Sequence, residues 1–486
     1  MSDAPSPPAK VRRSRSLGVP DIVFFIVAAS APLTVAAGGI STSYAVTGIE
    51  GIPLSFLVLA AVLIVFTIGY AAMSRHIANS GAFYAYIAHG IGRRAGVGAS
   101  FVALVSYNAM QVGIYGMFGA ASAQLCRTYF GLEVPWWAGV LAAVVVVGVL
   151  GVLRVDLNAK VLAVLLVLET IAVVVFDVAG IADPGRGGVT LSGFAPSNLF
   201  VAGVGAVLCF GVASFVGFES AAIYGEECRD PKRTVARATY VAVSVIGVFY
   251  AVSAWAIAQA AGRDKIVAQA REQGPNLLFT LGEARLGRIF TDVATVLFVT
   301  SLFAALLSFH NAVARYLFAL GREGVLPRGL SATTRAGAPR AGSLTQTVLA
   351  VVVLAVFAVT GRDPVLELFT WLTNVGATGV ILLMALTSFA VVGYFRRDAR
   401  GHSVLQRLLA PGLAGLALGG LFVLVLVNFD VMLGTSPGSP LRWILPGLIL
   451  VAGLAGVGWG ARLRSARPEV FAVIGRGETV GEEPVS

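Results

Sequence analysis

Twelve apolar stretches, each about long enough to cross a bilayer, follow one another through this 486-residue chain. They run over roughly 20–46, 52–74, 98–126, 135–153, 157–179, 200–225, 236–261, 288–320, 343–360, 364–394, 410–428 and 441–461. A helix needs about 20 apolar residues to cross hydrocarbon, and lipid satisfies no backbone N–H or C=O, so such stretches span only as helices. The composition agrees, with 57% hydrophobic and 12% charged residues against about 25% charged in soluble domains. Lys and Arg concentrate in alternate connections: Lys10 to Arg15, Arg75 with Arg93 and Arg94, Arg229 to Arg237, Arg315 to Arg340, Arg396 to Arg407, and Arg462 to Arg476. The positive-inside rule then places both termini in the cytoplasm. The expected fold is an all-α integral membrane protein of twelve transmembrane helices. Its net charge of +10 reads as this loop bias, not as nucleic-acid binding.

The remaining segments add little chemistry. Residues 1–18 are basic and Pro/Ser-rich, and with the tail 468–486 they are expected to be disordered. The first stretch follows as an uncleaved anchor. Residues 76–91, HIANSGAFYAYIAHGI, read as an interfacial amphipathic helix, and 263–287 as a short extracellular helix. Cys126, Cys209 and Cys228 lie far apart, with neither metal-ligand spacing nor a disulfide framework. There is no GxSxG, HExxH or paired-aspartate motif, so no enzyme, metal or cofactor is expected.

Two stretches carry interruptions that a lipid-facing helix would not tolerate. In the first, Pro32 sits between Ser30 and Thr34, with Gly38 and Gly39 after it. Proline removes one helical hydrogen bond and clashes with the carbonyl four residues back. In the sixth, Gly211, Ser214, Gly217 and Ser220 interrupt the run and Glu219 lies inside it. Five spans apart and oppositely oriented, the two breaks are what an inverted five-helix repeat produces. A half-helix beginning at mid-membrane offers N–H groups to a carboxylate, and one ending there offers carbonyls to an ammonium. An α-amino acid carries both groups.

The run SFVGFESAAIYGEECRDPKRTVARA is similar to the sixth-helix signature of the amino acid–polyamine–organocation superfamily. SRHIANSGAFYAYIAHGIGRRAG, RVDLNAKVLAVLLVLET and SFHNAVARYLFALGREGVLP also resemble that family, so the likeness extends over residues 20–396. It implies a LeuT-like fold: repeats at 20–180 and 199–396, then two peripheral helices at 408–461. It further implies secondary transport of amino acids or related amines. By the same resemblance, the substrate ammonium would meet carbonyls at Ala213, Ser214 and Val216, with Phe215 or Phe218 as an aromatic gate. The carboxylate would meet N–H groups around Ala31, Leu33 and Thr34, with Ser30 beside them as a further substrate contact.

Glu169 lies near the middle of the fifth stretch. A charge at the bilayer centre costs about 2.5–3.5 kcal/mol even on the lenient scale, and protonation relieves it, so Glu169 is the candidate proton carrier. Glu219 either titrates or links its break to the eighth span. Polar residues Tyr107, Asn108 and Gln111 in the third span are candidates for the side-chain pocket. Ser308, His310 and Asn311 in the eighth, and Trp371, Thr373 and Asn374 in the tenth, are accessory candidates. A lone His310 is more often a packed residue, and such polar groups also serve as helix glue. Asp177, Asp292 and Glu367 lie nearer span ends, where water is expected. Glu226 and Glu227, in the charged cluster after the sixth span, are candidates for a salt-bridged cytoplasmic gate. The expected function is proton-coupled uptake of an amino acid across the inner membrane by a monomer or homodimer. Alternatives are an amine or amino acid exchanger without ion coupling, a polyamine permease, and, further off, a channel or nutrient receptor.

Overall fold

A computed structural model of the chain describes residues 17–77, 81, 83–153, 159–219, 228–334, 337–436 and 438–477. Among these, the regular elements are helices, and the one β feature is an isolated bridge between Leu17 and Cys228. Of the twelve apolar stretches, eleven form segments long and apolar enough to cross a membrane. The first is α1 (Val19–Ser30), continued by a π turn (Thr34–Ile40) into α2 (Ser41–Thr47). There follow α3 (Ile52–Ser74), the short α4 (Phe83–Gly90), α5 (Arg93–Phe130), α6 (Trp136–Leu153) and α7 (Ala159–Ala182). The sixth stretch forms only the 12-residue α8 (Val204–Phe215) before it breaks. Beyond it lie α9 (Pro231–Ala261), α10 (Ile266–Gln273), α11 (Leu277–Leu286), α12 (Arg288–Arg322) and α13 (Arg340–Val359). A π turn (Pro364–Phe369) leads into α14 (Thr370–Arg397), followed by α15 (Ala410–Val427), α16 (Leu441–Ala466) and α17 (Pro468–Val473).

Burial follows the side chains. Helices α6 and α13 expose apolar residues at four-residue spacing, Leu141, Val145 and Val149 on one and Val348, Val352 and Val356 on the other. Such a continuous apolar boundary suits lipid and not water. The 38-residue α5 runs through the interior against α12, α14 and α16. Small residues let these backbones approach: a Cβ on Gly116 would lie 2.3 Å from the Pro364 carbonyl oxygen, and one on Gly376 would lie 2.5 Å from Met110 Cγ. In a membrane, where lipid is as apolar as leucine, close packing of this kind holds helices together.

Both expected interruptions are present. Pro32 has no N–H to give the Ala28 carbonyl, which accepts from Ala31 at 3.2 Å instead. Ala31 is thereby forced to φ 47°, one of two non-glycine residues with positive φ among those described. In the sixth stretch Val216 turns to an extended ψ of 130° and Gly217 takes φ 112°. The breaks touch: a Cβ on Gly217 would sit 2.9 Å from Ala29 Cβ, and one on Gly39 would sit 3.9 Å from Ser214 Oγ.

Four local expectations differ from the structure. Helix α4 is no interfacial helix with aromatic anchors: Phe83, Tyr84, Tyr86 and Ile87 are fully buried, because α5, α14 and the C-terminal segment enclose it. The loop 263–287 forms two helices, since Gly274 at φ 53° followed by Pro275 ends the first. The tail is ordered through residue 477, where the turn after α17 packs on α4, while 478–486 lie outside the described residues. Asp177 is buried rather than wetted, and its Oδ2 accepts from Ser253 Oγ at 2.7 Å.

Gly217→Val is expected to destabilise the fold by on the order of 3 kcal/mol, combining left-handed strain with overpacking. Melting of the purified protein in detergent measures it. Gly447→Ala, where nothing lies within 4 Å, is the control and should be neutral or slightly stabilising.

Candidate functional site

The crossing of the two broken spans encloses a cavity of about 50 Å³. Ala29, Ser30 and Ala31 line it from the end of α1, and Thr34, Val35 and Gly39 from the π turn. Phe210, Ala213, Ser214 and Val216 come from the other broken span. Met110 and Ile114 of α5, Ala305 and Phe309 of α12, and Phe369 with Thr373 close the remaining walls.

Side chains from neighbouring helices hold each break open. In an unbroken helix the Gly217 N–H would go to the Ala213 carbonyl; here it donates to Glu219 Oε2 at 3.0 Å. The Phe218 N–H turns back to the Phe215 carbonyl at 3.2 Å, leaving the Ser214 carbonyl. The Glu219 carboxyl is fixed in turn, accepting from Tyr107 of α5 at 2.7 Å, while Tyr70 of α3 donates to the Glu219 carbonyl at 3.3 Å. At the other break Tyr250 of α9 donates to the Ser30 carbonyl at 3.0 Å and to Ser30 Oγ at 3.1 Å. The Glu169 carboxyl faces the Leu33 N–H and the Ser301 hydroxyl, and Ser301 lies 3.0 Å from Thr34 Oγ1. Glu169 is buried and its Oε2 has no partner among the described residues. The first N–H groups of the second half of span one thus face a carboxyl from α7, the sign of partner that a helix N-terminus favours.

The expected site residues divide clearly. Ser30, Ala31, Thr34, Ala213, Ser214 and Val216 line the cavity. Leu33 does not; it is buried and its N–H faces Glu169. Phe215 and Phe218 pack against Phe56 and Phe66, at centroid distances of 6.3 and 6.0 Å, and neither lines the cavity. Glu219 links its break to α3 and α5 rather than to the eighth span. Tyr107 turns toward Glu219, and Asn108 donates to the Leu104 carbonyl at 2.6 Å. Gln111 accepts from Gln346 and lies 3.4 Å from His310 Nδ1. His310 Nε2 in turn lies 2.7 Å from Ser343 Oγ, a buried network joining α5, α12 and α13 away from the cavity. Ser308 is half-buried and Asn311 exposed, and neither lines the cavity. Trp371 donates to the Leu433 carbonyl at 3.3 Å and Asn374 to the Thr370 carbonyl at 2.7 Å, leaving Thr373 as the cavity residue of that group. Ser220, Glu226 and Glu227 lie outside the described residues.

Sequence reasoning did not find Tyr70, Tyr250, Met110, Ile114 or Phe309, whose apolar context hides which way they face. Ser301 had a signal: it stands two helical turns before Ser308 on the same span.

A larger hollow of about 590 Å³ opens at the far end of α5, between Met117 and Tyr129, α11 and the start of α12. Its polar rim is mutually satisfied, Tyr129 donating to Asp292 at 2.5 Å with Arg288 beside it. It touches neither break, so the small cavity is the candidate site. Met117 separates the two: it lines the hollow one turn beyond Ile114, and its Cε would lie 3.2 Å from a Cβ on Gly38.

A multi-pass helical membrane protein with two broken spans around a buried cavity is built to bind a small molecule at membrane depth, as transporters do. Residues 17–453 match the amino acid permease family model, and the chain belongs to that family, within the amino acid–polyamine–organocation superfamily. It is a permease and not an enzyme. It is 24% identical to a branched-chain amino acid permease of Lactococcus lactis, over 77% of this chain and 81% of that one. It is 27% identical to an L-asparagine permease of Salmonella typhimurium, over 79% and 77%. It is 24% identical to a low-affinity putrescine importer of Escherichia coli, over 81% and 84%.

Tyr107→Phe is expected to cost about 1–3 kcal/mol, the worth of a buried hydrogen bond to a carboxyl. Paired with Glu219→Gln in a double-mutant cycle of thermal melting, it should show a coupling of roughly 1 kcal/mol or more. Strict additivity would mean that the two groups do not act together.

Proposed function

We propose that this permease is a secondary active transporter that takes up amino acids by alternating access, coupled to protons. The observation that supports it most is the contact of the two breaks at the cavity, Ala29 against Gly217 and Gly39 near Ser214. The carbonyl released at Ser214 suits an ammonium, and the positive end of the second half of span one, at Thr34, suits a carboxylate. An amino acid backbone presents both at adjacent atoms. In this reading the sixth apolar stretch supplies a twelfth span. Residues 20–180 and 199–396 are then the inverted repeats of a LeuT-like fold, with 408–461 as peripheral helices. The basic face, where α1 begins and α16 ends, is cytoplasmic, and the membrane is the inner membrane of a bacterium.

Glu169 supports the proton part of the reading. It is a buried carboxyl at membrane depth, facing the backbone of one break, with one oxygen unpartnered. Protonation there changes the charge against the half-helix N-terminus, which ties the proton to the geometry of the site.

Purified protein in proteoliposomes should accumulate amino acid when an inward proton gradient is imposed, more slowly as external pH rises. Glu169→Gln, which mimics the protonated form, should lose the pH dependence and the accumulation but keep counterflow. Accumulation that survives in Glu169→Gln removes Glu169 from coupling. Counterflow without accumulation in the unaltered protein makes the chain an exchanger.

A further inference from the structure

Resting on the transporter reading, we infer that the site selects neutral amino acids with small or branched aliphatic side chains, and excludes asparagine, basic amino acids and polyamines. Among the described residues, no charged side chain lines the cavity. Its four hydroxyls are already engaged: Ser30 donates to the Val27 carbonyl, Ser214 to Phe210 and Thr373 to Phe369, while Thr34 pairs with Ser301. Once the released backbone groups have taken the substrate's ammonium and carboxylate, a side-chain amide finds no spare donor. A second ammonium finds no counter-charge. A buried polar group without a partner is strongly disfavoured, and a buried unpaired charge more so. What is left around the side chain is Met110, Ile114, Ala305, Phe309 and Phe369. The space is also small: about 50 Å³ corresponds to room for roughly three to five waters. Burial of each methylene that fits should tighten binding roughly fourfold.

Counterflow of labelled valine tests this, with alanine, leucine, asparagine, lysine and putrescine as competitors. Alanine and leucine should compete, whereas asparagine, lysine and putrescine should be weaker by about a hundredfold or more. Ala305→Val, which narrows the cavity, should weaken leucine more than alanine by about tenfold. If it fails to fold, Ala213→Ser gives the second arm and should leave asparagine excluded. Asparagine, lysine or putrescine competing as well as leucine overturns this selectivity while leaving the transporter reading intact. Failure of every compound to be carried overturns both.

A second inference stands on the C-terminal segment. Glu323, at the end of α12, is wholly buried. Its Oε1 accepts from the Gly477 N–H at 2.9 Å, and its Oε2 from the Gly475 N–H at 3.1 Å and from Tyr84. Gly475 and Gly477 both have positive φ, 82° and 73°, so the turn forms a backbone nest around a carboxylate. His89 Nε2 lies 3.1 Å from the Gly475 carbonyl. Arg93 lies over Phe471 at 5.6 Å. Tyr84 meets Tyr316 and Tyr316 meets Tyr107, at centroid distances of 6.5 and 6.3 Å, and Tyr107 holds Glu219. A continuous line of contacts therefore joins the tail to the break in the sixth stretch. We propose that residues 468–477 are a latch that keeps the basic face closed and must loosen before the cavity opens to that side. This too presumes alternating access.

A cysteine at Ala213→Cys, in protein with Cys126, Cys209 and Cys228 replaced by serine, reports access to the cavity from the basic face. Glu323→Gln, Gly475→Val and deletion of 468–486 should each speed its labelling by an impermeant thiol reagent severalfold, and speed exchange. Three independent variants guard against one that does not fold. Lower melting temperatures with unchanged labelling and exchange would make the segment structural packing and end the latch proposal.

Discussion

Freed peptide groups inside a membrane are the constraint on which the rest of this structure depends. Hydrocarbon offers no partner to an N–H or C=O, so a broken span survives only if protein groups take over or a ligand does. Here both happen. Glu219 takes the Gly217 N–H, Tyr250 takes the Ser30 carbonyl, and Glu169 faces the Leu33 N–H. The carbonyl of Ser214 is left beside the cavity. The side chains thus decide which backbone groups are used up and which stay available.

Apart from Glu219 itself, the side chains that hold the breaks come from α3, α5, α7 and α9, helices with no break of their own. Their position follows from glycine-mediated contact, as where Gly116 of α5 meets Pro364 and Gly376 of α14 meets Met110. Shifting any of them would move a tyrosine or carboxyl off its break. The cavity is therefore a product of the whole bundle, although two short segments supply its polar surface. Because its hydroxyls point back to helix carbonyls, the side chains that line it present a mainly apolar surface.

Some of this was legible from residues. Apolar runs of membrane length, the Pro32 kink and the small residues around Gly217 each carry a local physical signal, and each led to a correct element or break. Glu169 was conspicuous because a carboxyl in an apolar run is costly wherever it faces. The third span misled: Tyr107, Asn108 and Gln111 were polar at the right depth, yet Met110 and Ile114 line the cavity. On a helix buried all round, polarity does not tell which side meets the pocket, since polar residues there also serve as glue. The aromatic pair Phe215 and Phe218 failed for a related reason. Phe215 is the last residue of α8 and Phe218 lies past the break, where the backbone no longer follows helical periodicity and spacing stops predicting direction.

By itself the sequence determined that the chain crosses a membrane many times as helices and that two of those helices cannot be continuous. Length, hydropathy and proline chemistry act within a few residues and need no partner. Tertiary structure decided that the breaks meet, which tyrosines and carboxyls hold them, that α4 and the C-terminal turn are buried together, and how little space the cavity leaves. Those outcomes depend on contacts between residues a hundred or more positions apart, such as Ser30 with Tyr250 and Tyr107 with Glu219. No local pattern encodes which of several equally apolar faces will meet.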